Sequence, residues 1–430
     1  MRARRLFAVV LSFAVAVAVF SATRGDERAA AGPPSVGGLA SDDLRPSADT
    51  DARIAALQRD VRAGRTAAAP ALADAYLQKV RETGDASFYT RAGTLLRDAL
   101  ARNRFDADAL VEAATLAAAR HDFRGALALA QRARAAQPGT LAPLPILVDS
   151  LVELGRYGAA ERALQRLVDL KPNLTAYARI SYIRELYGDL PGAIDAIERA
   201  VSAGGPVPEN VAYVQSLLGG LELARGRLGA ARHAYDAALA AMPSYAPAAA
   251  GRARLAAAEG DLPDAIARWR RVVDRLPLPE YVIGLGETEL AAGRRAAGLR
   301  DLELVRAQQK LLAGAGVNTD VELAIFEADH GSRARGVRLA HAAWSNAPSI
   351  RSADALGWAL TRAGRPEAGL RWAHRALRLG TLDPSMRYHA GIAALAAGRT
   401  DEGRSQLRLA IAHGLAAQPL HLARAREALR

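Results

Sequence analysis

The sequence contains no cysteine. That excludes a disulfide framework, a thiolate zinc site, a cysteine nucleophile and anchoring through a lipidated N-terminal cysteine. Lysine is nearly absent as well: Lys79, Lys171 and Lys310 stand against 54 arginines. Aromatic residues make up only 5% of a chain that is half apolar, so its core must be assembled from small side chains, and 100 of its 430 residues are alanine. The pieces of an enzyme are missing too. No nucleophile stands beside a base, and the eight histidines show no His-x-x-x-His spacing. Gly284-Leu-Gly286 has no third glycine at dinucleotide spacing. The formal charge of +12 suits an anionic partner, yet arginine favoured over lysine beside abundant alanine also fits GC-rich coding, so composition leaves the partner open.

Residues 1–22 run from Arg2, Arg4 and Arg5 through the apolar stretch Leu6 to Phe20 to the small pair Ser21-Ala22. This is the order of a secretory signal, and the apolar stretch is shorter than the roughly 20 residues that span a bilayer. Cleavage near Ser21 or Ala22 is expected, with an uncleaved N-terminal membrane anchor as the alternative. The chain beyond is then exported, to a periplasm, a cell envelope or the medium. Residues 23–50, with Gly32-Pro33-Pro34 and Gly37-Gly38, lack hydrophobic periodicity and read as a linker.

The rest of the chain is one unit repeated. Glycines fall at 155, 188, 226, 260, 293, 331, 364 and 398, in steps of 33 to 38. Five residues after each comes a small residue: Ala160, Ala193, Ala231, Ala265, Gly298, Gly336, Gly369 and Gly403. Seven further on lies Leu167, Ala200, Ala238, Val272, Val305, Ala343, Ala376 or Ala410, and Pro138, Pro172, Pro243, Pro277 and Pro348 close five of the units. Ala92 with Ala99 and Ala126 with Ala133 extend the register backwards, giving about ten units. A glycine ends one helix by accepting a left-handed backbone, and a proline stops the next because it has no amide hydrogen to give. Each unit is therefore a helical hairpin, and stacking the hairpins makes the core. The two 38-residue steps, near Ser202 to Val211 and Leu311 to Val317, predict lengthened helices or loops.

These residues resemble the tetratricopeptide repeat, a 34-residue helix-turn-helix. Leu218-Gly219, Gly226, Ala231, Ala238 and Pro243 carry the pattern most fully. The resemblance implies an all-α, right-handed superhelical solenoid over residues 70–417, closed by capping helices at 51–69 and 418–430. It implies no catalysis, no metal and no cofactor, and a protein or peptide ligand held in the concave groove lined by the first helices. Groove candidates by unit position are Asp149, Glu153, Tyr182, Glu185, Tyr213, Arg254, Glu280, Glu287, Asp354, Trp358 and Tyr388. The stretch Tyr177 to Tyr187 could stack bases, but Tyr177, Ile180, Ser181 and Tyr187 fall at packing positions, and no specific nucleic-acid binding is expected. His341, His374, His389 and His413 lie on successive units and are the one set that could converge on a metal.

Charge is uneven. Residues 333–430 hold 16 arginines against six acidic residues. Arg335 with Arg338, Arg371 with Arg375 and Arg378, and Arg404 with Arg408 recur at helical spacing on second helices, so each set shares a face. They predict a basic outer stripe, and with it an alternative function: binding an anionic polymer or membrane surface.

Overall fold

The computed structural model describes residues 50–205 and 207–430. The expected signal segment and nearly all of the expected linker lie outside the described residues. Every regular element among the described residues is helical. Helix α1 (Thr50–Arg62) precedes ten hairpins: α2 (Ala69–Thr83) with α3 (Ser87–Arg102), α4 (Ala107–Ala119) with α5 (Phe123–Ala136), α6 (Pro143–Glu153) with α7 (Tyr157–Leu170), α8 (Leu174–Leu186) with α9 (Leu190–Ala203), α10 (Pro208–Ala224) with α11 (Leu228–Ala241), α12 (Ala246–Glu259) with α13 (Leu262–Arg275), α14 (Pro279–Ala291) with α15 (Arg295–Gly314), α16 (Asp320–His330) with α17 (Arg333–Asn346), α18 (Ile350–Arg362) with α19 (Pro366–Ala376), and α20 (Pro384–Ala396) with α21 (Thr400–Ala412). Helix α22 (Pro419–Ala428) ends the chain. The chain is thus the all-α solenoid its punctuation predicts.

The punctuation acts as its chemistry requires. Pro138, Pro172, Pro243, Pro277 and Pro348 each stand two residues beyond the last residue of α5, α7, α11, α13 and α17. Seven of the eight turn glycines have a left-handed backbone, with φ from 68° to 89°. Gly331 is the exception at φ −147°, and Ser332 caps α17 beside it. The two long steps resolve into long helices, 17 residues in α10 and 20 in α15.

Within a hairpin the small positions set the spacing. Ala160, Ala193, Ala231 and Ala265 have no exposed surface, and a Cβ on Gly298 would meet the carbonyl oxygen of Gly286 at 2.7 Å. Gly286 therefore serves helix packing inside α14. Each buried methyl contributes only about 0.8 kcal/mol, so the array draws its stability from repetition of small burials.

The solenoid winds tightly enough for its second turn to rest on its first. The Ile350 amide donates to Tyr157 Oη at 2.9 Å across 193 residues, and His121 Nδ1 lies 2.7 Å from the Asn318 carbonyl oxygen. Arg124 donates to the carbonyls of Ser345 and Asn346, both at 2.9 Å. The turn glycines share in this closure: a Cβ on Gly155 would collide with the Pro348 carbonyl, and one on Gly188 with that of Gly380. Helix α22 turns back against α14 and α20. It also packs on α21, the second helix of the last hairpin.

Candidate functional site

A tight solenoid leaves the first-helix face little open surface, and its polar side chains find partners one unit away. Asp149 on α6 accepts two hydrogen bonds from Arg179 on α8, from Nε at 2.8 Å and Nη2 at 2.6 Å. Tyr182 donates to Glu153 at 3.3 Å along the same pair of helices. Further on, His330 on α16 bonds Glu287 on α14 at 2.9 Å, Trp358 on α18 donates to Asp329 on α16 at 3.1 Å, and His389 on α20 lies 3.0 Å from Asp354 on α18. These are rungs between consecutive first helices. The low dielectric that makes a lone buried charge expensive makes such pairing obligatory.

The structure places most of the expected groove candidates in the interior. Tyr213, Arg254, Glu280, Glu287, Asp354, Trp358 and Tyr388 are buried, and Tyr182 and Glu185 are half-buried. Trp358 stacks on His389 with ring centroids 4.1 Å apart, and Tyr388 meets His421 of α22 edge-on at 4.9 Å. Arg254 lies over the Trp269 ring at 5.1 Å. The two aromatic anchors of the expected groove are thus core, Trp358 under His389 and Tyr388 against His421 of the C-terminal helix. Sequence reasoning missed the partners Arg179, Asp329 and His330, and took His389 for a metal candidate rather than the partner of Asp354. Their signal is a group of complementary polarity on the neighbouring first helix, 29 to 43 residues away.

Other expectations fare differently. Tyr187 is 42% exposed, out of the packing position assigned to it, because it sits one residue past the end of α8 in the turn. The four histidines do not converge: His374 pairs with Glu402, His389 with Asp354, His341 is exposed, and burial lowers the pKa of His413. Among the described residues no three His, Asp or Glu side chains gather as metal ligands.

The outer face is where the basic set lies. Arg335, Arg338, Arg371, Arg375, Arg378 and Arg408 are exposed and Arg404 is half-buried. Three of them have structural tasks. Arg335 pairs with Glu327 at 3.3 Å, and Arg375 caps the edge-to-face pair Trp344 and Trp372 at 4.7 Å from the Trp344 ring. Arg378 lies over Tyr157, 5.3 Å away on the first turn of the solenoid. Arg338, Arg371 and Arg408 remain as exposed cations, one on each of α17, α19 and α21.

Residues 147–208 and 216–278 match the family model described as tetratricopeptide repeat. A comparison with curated proteins found no match. Among solved structures, the crystal structure of the APC/C hetero-tetramer Cut9-Hcn1 is similar, with 14% identity over 89% of this chain and 94% of that chain and a TM-score of 0.32. The matched stretches cover α6 to α13, and the same hairpin recurs before and after them. The tetratricopeptide-repeat resemblance is thus matched by the family model over the middle of the array, and the helical hairpin it describes continues on both sides.

Proposed function

We propose that this chain is an exported, non-catalytic scaffold that holds an acidic protein partner on its outer face. The observation that carries the reading is the concentration of charge: 16 arginines against six acidic residues in the last 98, with Arg338, Arg371 and Arg408 exposed on successive second helices. Burial of the first-helix candidates moves the reading from groove to outer face, because a side chain already paired inside the fold has little to offer a ligand. Export rests on the order of charge, apolar run and small residues in 1–22; N-terminal sequencing of protein from its native host should find Ala22 or Thr23 first, and Met1 on membrane-bound protein would favour the anchor. No helix among the described residues is long and apolar enough to cross a membrane.

The test replaces Arg338, Arg371 and Arg408 together by Glu, sparing the three arginines with structural tasks. Crosslinking in the native host followed by mass spectrometry should then lose at least tenfold of the partner signal while the circular dichroism spectrum stays unchanged. Retention of the partner by the triple variant overturns the outer face. The same charge also favours an anionic polymer, and this second reading predicts that retention on a polyanion column falls steeply with salt as counterions compete.

A further inference from the structure

Where the second turn of the solenoid rests on the first, a partly open cavity of about 360 Å³ lies between α2, α10, α14, α15 and α16. That is the small end of the range for ligand pockets, about 300–1,000 Å³. Its wall is mostly apolar, from Leu77, Val80, Leu276 and Leu312, and Tyr89, Tyr245 and Tyr281 add three aromatic rings. Four carboxyls line it, the half-buried Glu82 and Glu209 and two that are buried: Glu280 at the start of α14, 2% exposed, and Glu322 at the start of α16, 6% exposed. Glu280 Oε1 has no hydrogen-bond partner, and neither polar atom of the Gln309 amide has one, although that residue is 4% exposed. Buried polar atoms in folded proteins are nearly always satisfied.

Most of the other charges around the cavity are occupied, and Glu82 accepts from Thr50 at 2.6 Å. Arg81 lies 3.8 Å from Glu209, and His121 Nδ1 is held by the Asn318 carbonyl. Arg275 stands exposed at the rim. Burial pushes Glu280 up to about 7, the nearby Glu322 adds to the rise, and Arg254 offsets it only in part. Glu322 is raised by burial as well. Two buried carboxyls sharing a site favour a counter-charge between them, and tyrosine faces attract a cation in the same way.

We infer that the inter-turn cavity binds a small organic amine, its apolar body against the leucines and its ammonium between Glu280 and Glu322 within reach of the tyrosine rings. Gln309 supplies a hydrogen bond to a polar group on that body. The site is separate from the outer arginine face and does not depend on it.

Calorimetric titration of the full chain with 4-phenylbutylamine, 4-phenylbutanol and 4-phenylbutanoate tests the assignment. The amine should bind at least tenfold more tightly than the alcohol, and the carboxylate should not bind. Glu280→Gln with Glu322→Gln should remove that tenfold advantage while leaving the alcohol's affinity in place. Equal affinity for amine and alcohol overturns the cation, and no binding of any of the three overturns the site, leaving a cavity filled by water alone. If the double variant loses its helical spectrum, Leu312→Trp serves in its place: it crowds the cavity from a half-buried wall position, and undiminished amine affinity there overturns the location.

Discussion

Trp358 illustrates how a residue's position in a repeat can mislead. Its place on a first helix and its polar indole edge are those of a groove anchor. Yet the indole N–H is committed to Asp329, the ring is stacked on His389, and 1% of the residue is exposed. Replacing Trp358 and Tyr388 by Ala should therefore cost stability directly, about 3–5 kcal/mol for each large aromatic lost from the core, seen as a lowered urea midpoint. A double variant as stable as the parent would return both residues to the surface. Glu280 makes a second prediction at this scale. Its folded pKa of about 7 lies above the usual 4.5, so the native state holds its proton where the unfolded chain has lost it. Stability from this group is fully present below about pH 4.5 and falls as pH rises to about 7, by up to about 3 kcal/mol. Urea midpoints at pH 4.5 and 7.5 should show that decline in the parent and a smaller one in Glu280→Gln; equal declines would remove Glu280 as its cause. Neither behaviour was legible in the sequence, because the groups that bury Glu280 and Trp358 come from other units.

At the scale of elements the sequence was far more explicit. Helix ends are local events, fixed by a glycine that can turn left or a proline that cannot donate, so Gly226 and Pro243 mark the ends of α10 and α11 without reference to anything distant. Helix length was legible too, since the 38-residue steps became the long α10 and α15. What the glycine ladder could not reveal is that some of its members have a second task. Gly188 and Gly226 share a left-handed backbone, φ 78° and 73°, but a Cβ on Gly188 would strike Gly380 across the turn while one on Gly226 meets nothing within 4 Å. Gly226→Ala should thus cost only the backbone strain, about 1–2 kcal/mol. Gly188→Ala should cost more, and should also speed amide exchange around Gly380 in hydrogen-exchange mass spectrometry. Equal costs and unchanged exchange at 380 would show that the second turn does not rest on the first there.

For the whole molecule, winding decides which rules of repeat proteins apply. In an open solenoid each unit touches only its neighbours, and damage spreads along the chain. Here Tyr157 in α7 accepts the Ile350 amide of α18 and carries Arg378 over its ring, so the third hairpin answers to the ninth. Such closure is not written in any one repeat, because the small rotation between neighbouring hairpins becomes a contact only after it has accumulated over a full turn. Tyr157→Phe isolates this effect, since it removes one hydroxyl and leaves the ring. The buried Ile350 amide then loses its acceptor, at a cost of about 1–3 kcal/mol. Amide exchange should rise at residues 348–352, nearly two hundred residues from the substitution, with little change in α12 and α13, which lie between them in sequence. Exchange that rises only in the hairpins beside α7 would mean that the turns stay apart in solution, and the cavity between them would lose its second wall.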